Sequence, residues 1–508
     1  MSIGVVRTHS GLISGVQGRD ERITVFKGVP YAAPPVGELR WRPPQSPLKW
    51  DYVRKADRFS AACPQKDPLP GEFYYREYFQ RPVEKSEDCL YLNIWTPAQS
   101  ADEKLPVYIW IHGGGLYSGY GHSKPFDGEN IARMGIVVVT INYRLNIFGM
   151  LAHPELSAES VQGVSGNYTV LDQIQAMKWI SENIAGFGGD PEQVTVGGQS
   201  GGGRSVGIHL VSPLSKGLFI RAIAESGCAV GGGVDIRLED AEKEGQELVS
   251  KIGVHSIEEM RKIPADKLLE LFFQAAPQWP AVTPVIDGYV YDDDPARIIQ
   301  AGRHNKVAVL SGSTTHEGVF NCDGLTVDGY KENAKRYGDM ADKYLKCYPG
   351  DTLEEAIRSS NLYYSDRYFT CHRAMSCLYS KTSGHRAYQY LFSKVPPGYD
   401  SQTYGAFHTG ELAYIFQNLD MIDRPWVEDD YNFSRTISQY WANFIKSGNP
   451  NGPGLPQWSP CVEKDDPVLL LGDNVKMVSI PDTGRRAFID RRLSDWLEHS
   501  NGTEKLIL

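Results

Sequence analysis

The apolar positions of this chain fall into short blocks, separated by polar and glycine-rich stretches. Residues 11–31 alternate apolar and polar around the Gly-Arg-Asp-Glu-Arg segment at 18–22, the period of a strand, which predicts an N-terminal β-hairpin. Apolar blocks at 90–95, 107–111, 137–141, 194–196, 220–224, 307–310, 388–392 and 468–471 are of strand length and predict further strands. Ile174, Met177, Trp179 and Ile180 recur at helical spacing, so 171–184 predicts a helix, stopping near Gly186-Phe-Gly-Gly189. A second helix is expected at 205–210, a mainly helical insertion over one end at 326–380, and a closing helix at 487–499. Strands alternating with helices from about 105 to 315 indicate an α/β protein with a large, mostly parallel central sheet covered on both faces. Proline-rich 31–44 reads as an extended loop. The stretch 63–88, with Phe73, Tyr74, Tyr75, Tyr78 and Phe79, reads as a partly packed surface flap. No linker or internal repeat interrupts the pattern, so a single domain over 1–508 is expected.

Composition adds limits. With 41% hydrophobic and 22% charged residues among 508, the chain can bury a large core. Its 52 basic and 62 acidic residues give a net charge of −10, and no Lys/Arg cluster stands out, which argues against nucleic acid as a partner. The apolar runs at 105–111 and 136–141 are too short to span a bilayer. The first residues lack a basic region ahead of an apolar one, so the expectation is a cytoplasmic protein with no membrane span. Eight cysteines in so long a chain are not a disulfide scaffold, though Cys63 and Cys89 bracket a loop. Cys371 and Cys377 lack the spacing of a metal knuckle, and neither a metal nor a cofactor is expected. Oligomeric state is not legible.

Candidate chemistry begins at 194–207. The strand block breaks at once into glycine, then Ser200, then helix; a serine at so sharp a strand-to-helix corner is a nucleophile elbow. The pattern G-x-S-x-G occurs twice, as Gly198-Gln-Ser200-Gly-Gly202 and Gly203-Arg-Ser205-Val-Gly207, and in a chain with 51 glycines the pattern alone does not choose. Ser200 directly follows the strand, whereas Ser205 lies within the helix, where a hydroxyl bonds a backbone carbonyl. Upstream, the strand at 107–111 runs into His112-Gly-Gly-Gly115, whose bare N–H groups suit a tetrahedral oxyanion together with the N–H of Gly201.

A serine hydroxyl needs a base held by a carboxylate, in the chain order Ser, acid, His for this fold class. Glu225, Asp287 and Glu317 are downstream acids near strand ends. Glu225 is placed to serve its local loop, while Glu317 follows a short polar turn and precedes Gly318. His408 sits in the glycine-flanked Tyr404-Gly-Ala-Phe-His-Thr-Gly-Glu-Leu412, ahead of a helix. His304, His372 and His385 have charged surroundings and are expected at the surface, and His316 precedes the acid it would have to follow. The expected triad is Ser200, Glu317 and His408.

These residues, with Phe26-Lys-Gly-Val-Pro-Tyr31, Glu87-Asp-Cys-Leu-Tyr-Leu-Asn93, Phe187-Gly-Gly-Asp-Pro191, His316-Glu-Gly318 and Tyr440-Trp-Ala-Asn-Phe444, resemble the type B carboxylesterases. That is the α/β-hydrolase branch that includes cholinesterases and bacterial carboxylesterases, and the likeness covers nearly the whole chain. It implies an α/β-hydrolase fold and serine hydrolysis of carboxylic esters. It also implies Gly114, Gly115 and Gly201 as oxyanion donors and ion pairs Arg40–Glu87 and Arg144–Asp172 in the scaffold. A Cys63–Cys89 bridge would correspond to the family's first disulfide, formed where the compartment permits. Departures bear on substrate. The residue before the nucleophile is usually Glu and here is Gln199, and the 63–89 loop has no tryptophan where cholinesterases hold choline. Both weigh against a cationic substrate and for small uncharged esters. Aromatics at 73–79 and Trp279 suit the alternative of bulky or aromatic acyl groups of the feruloyl type. A non-catalytic, neuroligin-like binding module is disfavoured because every triad position is occupied. Arg204 and Cys228 are unusual for the family, and Cys228 is read as packing.

Overall fold

The structure, a computed structural model, describes residues 3–76, 81–231, 235–277, 282–318, 324–398, 400–480 and 484–499. Among them the largest sheet has 11 strands. In chain order these are β1 (Val16–Gln17), β2 (Thr24–Pro30), β3 (Tyr91–Thr96), β4 (Leu105–Ile111), β5 (Val137–Ile141), β6 (Gly189–Gln199), β7 (Arg221–Glu225), β8 (Ala308–Thr314), β9 (Ala387–Phe392), β10 (Val468–Leu471) and β11 (Lys476–Val478). In space they run β1-β2-β3-β5-β4-β6-β7-β8-β9-β10-β11. β1, β2, β3 and β5 pair antiparallel, β5 through β10 are parallel, and β11 turns back antiparallel on β10. Parallel neighbours need crossovers, so helices cover the faces and the carboxyl ends of the strands line up on one edge.

The strands read as unbroken apolar blocks because both faces are buried. Val107, Ile109 and Ile111 point into one core with Val137, Val139 and Ile141, while Tyr108, Trp110 and Val138 point into the other. On the first face Ile174, Met177 and Ile180 of helix Tyr168–Asn183 pack beside Val206, Ile208 and Leu210 of helix Gly201–Val211. Ile437, Trp441, Phe444 and Ile445 of helix Glu428–Ser447 fill the second face, together with Trp95 and Trp458. Full burial of each such side chain is worth about 1.5–3 kcal/mol.

The α/β expectation holds, with every predicted strand present and most extended at their ends. The N-terminal hairpin differs in its first arm. Gly11–Ser14 leaves to pair with Val5–Thr8 and Val53–Lys55, and only Val16–Gln17 pairs with β2 across the turn. The helical stretch expected over 326–380 divides by role. Val327–Ala334 and Ala341–Cys347 are insertions, whereas Leu353–Ser383 is the crossover helix between β8 and β9 and lies against the sheet, with Ser376 Oγ 3.2 Å from Ser311 Oγ. That placement corrects two histidines. His372, in helical register with Met375 and Tyr379, is fully buried, and burial lowers its pKa to about 4. His304 packs edge-on against Tyr379, and burial lowers it likewise to about 4. For His372 helical phase, not the charge of its sequence neighbours, selects the buried face, whereas His304, in the turn after helix Pro295–Gln300, is covered by Tyr379.

Both ion pairs implied by the resemblance are present. Arg40 Nε and Nη2 lie 2.6 and 2.5 Å from the Glu87 carboxylate, and Arg40 also donates to the carbonyls of Met260 and Ile263. Arg144 donates to Asp172 from Nε at 2.8 Å and Nη2 at 2.7 Å, both side chains almost wholly buried. The pair fastens the segment after β5 to helix Tyr168–Asn183. Cys63 and Cys89 are free thiols, buried and in contact, and Cys63 Sγ accepts from the N–H of Leu145. Among the described residues no helix is long and apolar enough to cross a membrane.

Removing Asp172 strands a buried guanidinium. Asp172→Ala should lower unfolding free energy by about 3–5 kcal/mol, measured by urea denaturation. A loss under about 1 kcal/mol would show that the pair is not structural.

Candidate active site

Three strand ends and one loop supply the site. β6 ends at Gln199, helix Gly201–Val211 starts one residue later, and Ser200 between them takes φ 58° and ψ −121°. This is a left-handed-side conformation that a non-glycine residue holds only under surrounding constraint. Ser200 N–H donates to Glu225 O at 2.8 Å, which ties the corner to the end of β7. The glycines answer to measurable crowding. A Cβ on Gly202 would lie 2.0 Å from Ile111 O, and one on Gly198 would lie 2.6 Å from the backbone of Gly202. Ser205 is buried in the helix, its hydroxyl donating to Gly201 O at 3.1 Å and accepting from Gln173 Nε2 at 3.0 Å. It is occupied structurally, and the elbow pattern belongs to Ser200.

The glycine loop after β4 folds onto this corner. Gly114 and Gly115 have φ of 103° and 64°, and a Cβ on Gly201 would sit 2.9 Å from Gly115 N. The N–H groups of Gly114, Gly115 and Gly201 have no acceptor among the described residues. His112 anchors the loop: its ring stacks on Tyr143 at 4.3 Å, and Nδ1 lies 2.8 Å from Gly113 O. Burial lowers its pKa to about 4, so it stays neutral.

Glu317 and His408 meet at the far side. His408 Nδ1 is 2.5 Å from Glu317 Oε2, both fully buried. Their loops are paired through the backbone, since His408 N–H donates to His316 O and His316 N–H to Ala406 O. His316 therefore works through its main chain, and its ring packs against Gly405. Glu317 Oε1 accepts from Ser226 Oγ at 2.7 Å and from Thr314 N–H at 2.6 Å. Burial opposes its charge, but His408, Ser226 and the Thr314 N–H outweigh burial and hold the carboxyl below its usual value. On the other nitrogen, His408 Nε2 lies 3.3 Å from Gln199 Nε2, so the ring faces the residue before Ser200. Ser200, Gln199, Gly113, Gly114 and Thr409 line one cleft with Tyr74 and Phe126. Phe73 packs on Tyr404 and Phe407, so the flap is part of this wall; Tyr78, Phe79 and Trp279 lie outside the described residues.

Two residues beneath the triad positions escaped sequence reasoning. Glu411, three residues after His408, is buried with neither carboxylate oxygen partnered, and burial plus Glu225 and Glu317 push its pKa well up. Ser226, with φ 45°, braces Glu317. The Glu-Leu that closes the His408 motif was the only signal for Glu411. The side chain of Glu225, expected to serve its own loop, instead ties to helix Glu428–Ser447, with Oε1 accepting from Trp441 Nε1 at 2.7 Å. Arg204 pairs with Asp235 and donates to Thr283 Oγ1, and Cys228 is buried with its thiol donating to Val230 O. Both are scaffold. Among the described residues no group of His, Cys, Asp and Glu is arranged to hold a metal.

A strained serine corner, a glycine loop and a buried His–Glu pair on a mostly parallel sheet define an α/β-hydrolase, and comparisons with known proteins narrow this class. The sequence model of the Carboxylesterase family matches residues 2–489, and the chain belongs to that family. It is 35% identical to "Fumonisin B1 esterase" of Sphingopyxis macrogoltabida over 93% of this chain and 87% of that one. It is 31% identical to "Para-nitrobenzyl esterase" of Bacillus subtilis (strain 168) over 96% and 98% of the two chains. Among solved structures, one described as a thermophilic PNB esterase superposes with a TM-score of 0.83 at 30% identity, covering 96% of this chain and 100% of that one. The protein is a carboxylic ester hydrolase of the serine type.

Glu225 yields a pH prediction. Burial raises its carboxyl to about 8 against an ordinary 4.5, with the Trp441 N–H pulling the other way. A raised acid stabilises the fold fully below its unfolded value and loses that contribution as pH climbs through its folded value. Glu225→Gln keeps the acceptor for Trp441 and cannot ionise. Its melting temperature relative to wild type should therefore climb between about pH 4.5 and 8; a pH-independent difference would show that Glu225 does not titrate there.

Proposed function

We propose that Ser200, Glu317 and His408 are the triad of this esterase, with the N–H groups of Gly114, Gly115 and Gly201 as the oxyanion hole, all within one domain spanning 1–508. His408 Nε2 takes the Ser200 Oγ–H proton as Oγ attacks the ester carbonyl carbon. The three N–H groups hold the negative oxygen, and Glu317 keeps the imidazole in one tautomer and balances its charge. His408 then protonates the departing alcohol, leaving an acyl-Ser200, and a water activated by His408 releases the acid. The observation that carries the reading is the His408 Nδ1–Glu317 contact of 2.5 Å with Nε2 turned toward the residue before Ser200.

For substrate the reading is a small uncharged ester. The cleft beside Ser200 is narrow and lined by Tyr74, Tyr120 and Phe126, and Gln199 offers a cation no charge.

Ser200→Ala should cut hydrolysis of p-nitrophenyl esters by about a thousandfold or more without lowering the melting temperature. Ser205→Ala should keep turnover and lose about 1 kcal/mol of stability. The opposite pattern would move the nucleophile to Ser205. Rates across acyl length test the substrate reading: a steep fall beyond short chains is expected, and preference for aromatic acyl esters would establish the bulky-acyl alternative instead.

A further inference from the structure

Gln199 has a place in this site that the proton transfers above leave unused. Its side chain is buried, its Nε2 is 3.3 Å from His408 Nε2, and its Oε1 is buried without a hydrogen-bond partner. A buried amide oxygen left unpaired is costly, so its retention beside the reacting nitrogen calls for a reason. His408 Nδ1 is committed to Glu317, so the neutral ring carries its proton on Nδ1 and accepts at Nε2. The contact at Nε2 is then an amide N–H donating to the imidazole. Once Nε2 gains a proton, two donors face each other across 3.3 Å. A half-turn about the Gln199 Cγ–Cδ bond replaces NH2 by C=O at nearly the same position, because the two ends of a carboxamide have almost the same shape.

We propose that Gln199 is a positioning residue for the base, an amide rotor that donates to His408 Nε2 in the free enzyme, gives up the Nε2 lone pair to the Ser200 Oγ–H once substrate is bound, and presents Oε1 to the imidazolium after proton transfer. This rests on the triad reading above. The Ser200 Oγ–H proton moves to Nε2 and later to the alcohol, while Gln199 makes and breaks only hydrogen bonds. A neutral dipole suits this interior. Glu317 from the end of β8, Glu225 from the end of β7 and Glu411 from the His408 loop already crowd the base with carboxyl groups. Tyr368 and His372 of helix Leu353–Ser383, Tyr390 of β9 and Tyr74 of the flap are also packed around His408 and its carboxylate. A fourth carboxylate at 199 would add charge where burial is already pushing Glu225 and Glu411 toward their neutral forms.

The test compares Gln199→Met, which keeps length without hydrogen bonding, with Gln199→Glu, which keeps shape as a fixed acceptor. Both are assayed on p-nitrophenyl acetate across pH, with competent sites counted by fluorophosphonate titration so that misfolded protein does not enter kcat. For Gln199→Met, kcat should fall about 3–10-fold with KM within about twofold, because the ring loses the contact that orients Nε2 toward the serine, while the acidic limb of kcat/KM stays put, since both protonation states lose one bond. For Gln199→Glu, that limb should move to higher pH by about half a unit or more, because a carboxylate favours the imidazolium. Wild-type kcat in Gln199→Met, or an unmoved limb in Gln199→Glu, overturns the rotor, and a change in KM alone makes Gln199 a substrate contact instead. His408→Ala separates the two readings. If it retains turnover the base assignment fails and the rotor with it, whereas if it is inactive while both Gln199 variants match wild type, only the rotor fails.

Discussion

Everything in this site depends on backbones that approach too closely for side chains. β4, β6 and β7 end side by side, and the helix after Ser200 starts in the narrow space between them. Gly202 lies against Ile111 O, Gly203 against Gly227 O and Glu225 O, and Gly227 against Ser200 O, with hypothetical Cβ distances between 2.0 and 2.7 Å. That crowding forces Ser200 into its strained corner and lifts its hydroxyl into the cleft. It also brings the Gly114–Gly115 loop against Gly201, so donors from two separate segments share one space. Strain at a functional position persists only where the surroundings over-determine it. Here two carbonyls and three strand ends do so.

Electrostatics builds the second layer. The interior behind the site holds several carboxyl groups, of which Glu317 alone has the partners to remain charged: His408, Ser226 and the Thr314 N–H. Glu225 and Glu411 lack such partners and are driven toward the neutral form by burial. One ionised carboxylate lies behind one imidazole, and the environment makes that selection rather than the residue type. Arg40–Glu87 and Arg144–Asp172 are buried charges of a different kind, each guanidinium held two-fold by its carboxylate. They fix loops near the sheet's rim and leave the charge pattern of the site intact.

Much of this was legible in the amino-acid order. Apolar blocks of strand length separated by helical spacing dictate a parallel sheet with two covered faces, because backbone polar groups must pair and apolar faces must be buried. A strand broken by glycine around Ser200, a glycine run after His112, and glycine-flanked Glu317 and His408 are local constraints, readable because sterics act between near neighbours in sequence. The order of these elements along the chain then suffices for the class of chemistry.

Only the tertiary structure decided what depends on phase and convergence. It buried His372, since helical register sets exposure whatever the neighbouring charges are, and His304 by packing it against Tyr379. It satisfied the hydroxyl of Ser205, the serine that the sequence already sets aside, with hydrogen bonds inside its helix and to Gln173. It gathered Glu225, Glu411 and Ser226 behind the His–Glu pair from segments nearly 200 residues apart, and set the Gln199 amide against His408. Such groups carry no signature in sequence, because what defines them is a shared, water-excluded space that exists only after the chain has closed around it.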